Sequence, residues 1–134
     1  MKVSRRDALL LMTGAATLPA SRFARAQTYP SRPVRIIVGF PPSGGADVSA
    51  RLIGQWLSER WAQPFVVENR PGAATNLATE AVVRAPADGH TLLLAFTSNA
   101  INATLYDKLN FNFVADTVPV ALITRTPSVM VVNP

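Results

Sequence analysis

Residues 34–47, Val34-Arg35-Ile36-Ile37-Val38-Gly39-Phe40-Pro41-Pro42-Ser43-Gly44-Gly45-Ala46-Asp47, constrain the fold more than any other stretch of the chain. The run 34–40 is apolar apart from Arg35 and mostly β-branched, which suits a strand covered on both faces, as in a parallel sheet. Pro41 and Pro42 cannot donate to a ladder and end the strand. Ser43, Gly44 and Gly45 let the backbone turn sharply and approach a ligand closely. Residues 47–61 then show helical spacing. A strand, a tight turn and a helix in this order aim the free N–H groups and positive dipole end of the helix outward from the strand's carboxyl end. Taken alone, such a turn is more often a plain connection in which Asp47 only caps the helix. No Lys-Ser/Thr pair follows the glycines, and the spacing is not GxGxxG. An anion held there is therefore a carboxylate at least as readily as a phosphate.

The rest of the chain repeats the strand–turn–helix order. In the first helix, Val48, Leu52, Ile53, Trp56, Leu57 and Trp61 form one apolar stripe, expected to face the core, with both tryptophans as packing residues. Ser49, Arg51, Gln55, Glu59 and Arg60 are expected to face away. Gln63-Pro64 breaks the helix and 65–68 reads as a second strand. A second turn, from Asn69 to Asn76, leads into a helix over 76–84 with Leu77, Ala78, Ala81 and Val82 inward. Residues 85–89 stop it. Residues 91–96 read as a third strand ending in Thr97-Ser98-Asn99. A short helix is expected over 101–109, a loop over 110–116, and further strands over 118–124 and 128–132. The βαβαβ order predicts an α/β fold, an open and mostly parallel sheet with flanking helices. Ligands of such sheets lie beyond the carboxyl ends of the strands. Three turns qualify there, and their convergence favours a small-anion site over a plain connection.

The first 26 residues read as an address. Lys2, Arg5 and Arg6 form a basic start, 8–18 an apolar core too short to span a bilayer, and Ala24-Arg25-Ala26 an A-x-A cleavage site. Cleavage after Ala26 gives a mature start at Gln27. Ser4-Arg5-Arg6-Asp7 resembles a twin-arginine signal, but Ala8 stands where that pattern prefers a bulky apolar residue, so both export routes stay open. This address holds five of the 13 basic residues and one of the eight acidic ones, leaving eight against seven, a net +1. The basic balance of the whole chain is thus no sign of nucleic-acid binding. There is no cysteine for a disulfide or a metal site, and the one histidine, His90, stands in an Asp-Gly-His turn and is expected on the surface. No GxSxG, Walker loop or His–carboxylate pairing supports an enzyme. Neither a catalytic residue nor a cofactor nor a metal is expected.

Tyr29-Pro30, Arg32-Pro33-Val34-Arg35-Ile36-Ile37-Val38, Phe40-Pro41-Pro42, Gly44-Gly45 and Asp47, followed by Val66-Val67-Glu68-Asn69-Arg70-Pro71-Gly72-Ala73 and Ala87-Asp88-Gly89-His90-Thr91-Leu92-Leu93, resemble the substrate-binding proteins of tripartite tricarboxylate transporters, also called the Bug family. The resemblance covers essentially all of 27–134. It implies an exported, periplasmic, non-catalytic binding protein of the two-lobe Venus-flytrap class that hands small carboxylates to a membrane permease. The family pattern places ligand contacts at Ser43, Gly44, Gly45 and Ala46, and at Ala73, Ala74, Thr75 and Asn76. Asp47 stands where family members that take amino acids meet the ammonium group. The third turn adds Thr97 and Ser98. This chain departs from the pattern in two turns: Ser43 replaces a common glycine, and Ala73-Ala74-Thr75 replaces a more Gly-rich run. Family members also continue well past Pro134, so 27–134 is expected to hold an incomplete first lobe. The alternative is a truncated fragment without independent ligand binding.

Overall fold

The computed structural model describes residues 28–125. The signal, its cleavage site and the strand expected over 128–132 lie outside the described residues. Three parallel strands, β1 (Val34–Val38), β2 (Phe65–Asn69) and β3 (Thr91–Leu94), form one sheet in the order β2-β1-β3. Val34 pairs with Phe65 and Val38 with Asn69 on one side, and Arg35 with Thr91 and Val38 with Leu94 on the other. The helices are α1 (Gly45–Trp61), α2 (Asn76–Val83) and α3 (Thr97–Leu105), and a 3₁₀ turn, Ala73–Thr75, precedes α2. This is the expected α/β architecture, a parallel sheet with flanking helices.

The central strand explains the sheet. Val34, Ile36, Ile37 and Val38 are all buried, and only Arg35 reaches solvent. Alternation puts Val34, Ile36 and Val38 on one face, where they cluster with Ala50 of α1, Phe65 and Leu94. Ile37 points to the other face, where α2 lies against β3 and β1.

Helix α1 docks differently from its apolar stripe. Asp47, Ala50 and Gly54 are its buried residues, whereas Val48, Leu52 and Trp56 are exposed. The reason is backbone proximity: a Cβ on Gly54 would stand 3.2 Å from the Phe65 carbonyl oxygen. Small residues let the helix come down on the strands, and Ser58 Oγ accepts the Phe65 N–H at 2.9 Å. Trp56 is therefore not core; the Arg60 guanidinium lies 5.5 Å from its ring centroid. Trp61 is half-exposed and meets the Tyr29 ring edge-to-face and the Phe65 ring at a tilt. In α2, Leu77 faces out, and Ala78 and Thr79 face in.

Other expectations also shift. The third helix starts at Thr97 rather than Ile101, because Asn99 Oδ1 accepts the Phe96 N–H at 2.8 Å and caps the helix four residues early. Residues 118–124 form no strand; Val118, Val120 and Leu122 are exposed, because no neighbouring strand among the described residues offers them a ladder. His90 is buried, not on the surface. Tyr29 covers it edge-on at 5.1 Å between ring centroids and bonds the Gly89 carbonyl at 2.7 Å. Arg32 and Asp88 pair beside this contact at 2.7 Å, pinning the lead-in to the amino ends of the strands.

Candidate functional site

All three turns emerge at the carboxyl ends of the strands, as parallel pairing requires. In the first, Gly44 is the N-cap of α1, with φ −80°. The left-handed residue is Ser43, at φ 70°; neither Gly44 nor Gly45 has positive φ. The glycines matter for a different reason. A Cβ on Gly45 would meet nothing within 4 Å, and one on Gly44 only the Pro41 carbonyl at 3.7 Å. Their bare backbone faces an open concavity of about 440 Å³, walled by Phe40, Pro41, Pro42, Gly44, Gly45, Ala46 and Phe96. Phe40 and Phe96 meet edge-to-face there, 5.1 Å between centroids. The N–H groups of Gly45 and Ala46 lie in the first turn of the helix, where no intrahelical acceptor exists.

Asp47 does not project into this space. It is 3% exposed. Its Oδ2 accepts the Ser43 N–H at 3.0 Å and Arg51 Nε at 2.9 Å, and its Oδ1 accepts Asn69 Nδ2 at 2.9 Å. Asn69 Nδ2 also reaches the Phe40 carbonyl at 3.1 Å. The Arg51 bond first, then the Ser43 N–H and the Asn69 amide, hold the Asp47 carboxyl well below the usual carboxylate range against the opposing effect of burial. Asp47 thus ties the turn to the end of β2. Arg51 balances its charge, so it opposes an incoming anion little. The Ser43 N–H is already used, which leaves that residue its exposed hydroxyl.

The second turn carries three consecutive non-glycine residues in the left-handed region: Ala73 (φ 44°), Ala74 (φ 51°) and Thr75 (φ 81°). Each such placement costs roughly 1–2 kcal/mol for an L-residue. The Thr75 N–H bonds the Gly72 carbonyl and the Asn76 N–H the Ala73 carbonyl. Among the described residues the N–H groups of Ala73 and Ala74 donate to nothing. Thr75 and Asn76 are buried, so of the four expected contact residues here only Ala73 and Ala74 lie open to solvent.

The third turn opens α3. Thr97 is exposed, and Ser98 Oγ stands 3.5 Å from Thr75 Oγ1, joining the second and third turns. Gly39 allows the close stacking: a Cβ there would lie 2.7 Å from Thr75 Cβ. The expected residues therefore lie at one end of the sheet, with Asp47, Thr75 and Asn76 buried behind the others. Phe40, Phe96, Arg51 and Asn102 were not expected at the site, and Asn69 and Asn99 only as the bounding residues of the second and third turns. The two phenylalanines close apolar strand runs just before a turn, a position that a wall residue shares with any core residue. His90, the one histidine of the sequence, lies at the opposite end of the sheet.

Residues 49–134 match the family model described as "Tripartite tricarboxylate transporter family receptor". Protein BugT of Bordetella pertussis (strain Tohama I) is 38% identical over 128 residues, which are 94% of this chain and 38% of that protein. A UPF0065 protein from the tcbD-tcbE intergenic region of Pseudomonas sp. (strain P51) is 37% identical over 130 residues, 97% of this chain and 39% of its own length. The chain thus spans under two fifths of these curated relatives. Among solved structures, MatC from Rhodopseudomonas palustris with bound malate superposes with a TM-score of 0.66 at 35% identity, over 71% of this chain and 33% of the other. A second R. palustris protein, solved with adipate, gives 0.58 at 36% identity, over 64% and 29%.

Proposed function

The chain belongs to the tripartite tricarboxylate transporter receptor family, and on that premise we propose that its three βα turns form part of a binding site for a small carboxylate. The observation that carries this reading is the set of turns itself. Backbone N–H groups of Gly45 and Ala46 and of Ala73 and Ala74 open toward the same end of the sheet, and the one buried carboxylate among them, Asp47, is balanced by Arg51. Helix N-termini and unpaired N–H groups favour a carboxylate without a charged side chain. Relatives solved with malate and with adipate support a dicarboxylate. Ser43, Gly44, Gly45, Ala46, Ala73, Ala74, Thr97 and Ser98 line the site in this reading, and Asp47, Thr75 and Asn76 shape it from behind.

The protein is then a non-catalytic receptor. Residues 1–26 export it to the periplasm, 27–134 supply part of its first lobe, and it delivers its ligand to a membrane permease. Thermal melts and titration calorimetry with malate, adipate and citrate test the reading. A saturable rise in melting temperature is expected, because a ligand that binds only the folded state stabilises it. A melt that none of the three acids raises at millimolar concentration, together with no heat of binding, refutes it.

A further inference from the structure

We propose that Asn99 and Asn102 of α3 are positioning residues that hold the second turn in its anion-receiving conformation. This inference rests on the carboxylate reading above. Asn102 Nδ2 donates to the Ala74 carbonyl at 2.6 Å and to Asn76 Oδ1 at 2.9 Å. Asn99 Nδ2 donates to Thr75 Oγ1 at 3.1 Å and to Thr79 Oγ1 at 2.8 Å, while its Oδ1 accepts the Phe96 N–H. Thr79 Oγ1 in turn donates to the Thr75 carbonyl at 3.2 Å. Both asparagines are 3% exposed. Their amide orientations are fixed by chemistry, since only an N–H can face the Ala74 carbonyl and only an oxygen can face the Phe96 N–H.

This network acts where the backbone needs it. Ala73, Ala74 and Thr75 sit side by side in a region that L-residues rarely occupy. Nothing in their own side chains favours it. Each is bonded, directly or through a neighbour, to α3: Ala74 through its carbonyl, Thr75 through its hydroxyl, and Ala73 through Asn76, whose N–H it accepts. A turn released from α3 relaxes toward negative φ and swings the Ala73 and Ala74 N–H groups out of register. The same clamp joins the second and third turns, so the two move as one body.

The test uses the ¹⁵N-labelled chain with adipate as probe, its affinity read from amide shifts of Gly45, Ala46, Ala73 and Ala74. Asn102→Ala is expected to weaken adipate about tenfold, because the competent turn falls to a minor fraction. Ala73→Gly and Ala74→Gly added to that variant should restore affinity to within about threefold, since glycine occupies positive φ without a clamp. Asn102→Ser, too short to reach the Ala74 carbonyl, replaces Asn102→Ala where the latter fails to fold, with the same outcomes. A purely structural asparagine would lower the melt and leave the dissociation constant of the folded fraction unmoved. Unchanged affinity in Asn102→Ala overturns the proposal, as does a loss that the glycines do not restore. An unsubstituted chain whose turn amides respond to neither adipate nor malate overturns the carboxylate reading itself, and the clamp's binding role falls with it.

Discussion

Gly39→Ala should destabilise the protein although its backbone accepts alanine. Gly39 follows the last residue of β1, with no positive φ. Its added Cβ would stand 2.7 Å from Thr75 Cβ, 3.0 Å from Cγ2 and 3.2 Å from Cα. Thr75 cannot yield: it is 5% exposed, its hydroxyl is bonded by Asn99 and its N–H by the Gly72 carbonyl. Forcing one methyl into such packing costs about 1–3 kcal/mol. The loss of unfolded-state freedom on replacing glycine returns about 0.4–1 kcal/mol. The net is about 1–2 kcal/mol of lost stability, a melt lowered by roughly 4–16 °C for a domain of this size. Circular dichroism of the variant reads it directly. The double variant Gly39→Ala/Thr75→Gly removes the two closest contacts and places glycine at φ 81°. It should recover about 1 kcal/mol or more relative to additive single effects. A Gly39→Ala melt within about 2 °C of the parent, or strict additivity in the cycle, would show that the second turn does not rest on the end of β1.

The first turn makes a contrasting prediction: Gly44→Val with Gly45→Val should abolish the adipate-induced melt shift and change the melt itself little, because both new side chains enter open space; retained binding in calorimetry would make the turn a connector only. Asp47→Asn should lower stability at neutral pH, and urea melts at several pH values should show the difference shrinking in acid. Its folded carboxyl titrates below the ordinary 3.8, so the unfolded chain takes up the proton first. The contribution is complete above about pH 4 and is lost as pH falls below it; a difference that persists unchanged at pH 2 refutes the ion-pair account. Glu68 and Asp88, lowered first by the Arg35 hydrogen bond and by the His90 N–H respectively, push the parent in the same direction, so the Asp47 part is the parent–variant difference. Expressed with residues 1–26, the chain should yield a periplasmic product whose intact mass begins at Gln27, and Arg5→Lys with Arg6→Lys should slow export if the route is twin-arginine; a cytoplasmic product retaining 1–26 refutes the address.

The order of elements was legible in the sequence because backbone chemistry writes it locally. The β-branched run over 34–38 and the apolar run over 91–94 favour strands, Pro41-Pro42 ends the first of them and Pro64 the helix between, and alternation of strands with helices leaves a parallel sheet as the economical closure. That order alone puts the three turns at one end. The inward face of α1 was not legible, since hydropathy favours Leu52 and Trp56, while contact with β2 required the absence of a side chain at Gly54. Nor was the polar layer of Thr75, Asn76, Thr79, Asn99 and Asn102, whose burial is tolerable because bonds between residues distant in sequence, Asn99 to Thr79 and Asn102 to Asn76 among them, add to the local ones. Ser43 rather than a glycine takes the left-handed position because Asp47 accepts its N–H from the helix below. Local propensity thus determined where the chain turns. Only the tertiary structure decided which backbone groups each turn leaves free, because that depends on which donors and acceptors the neighbouring elements have already met.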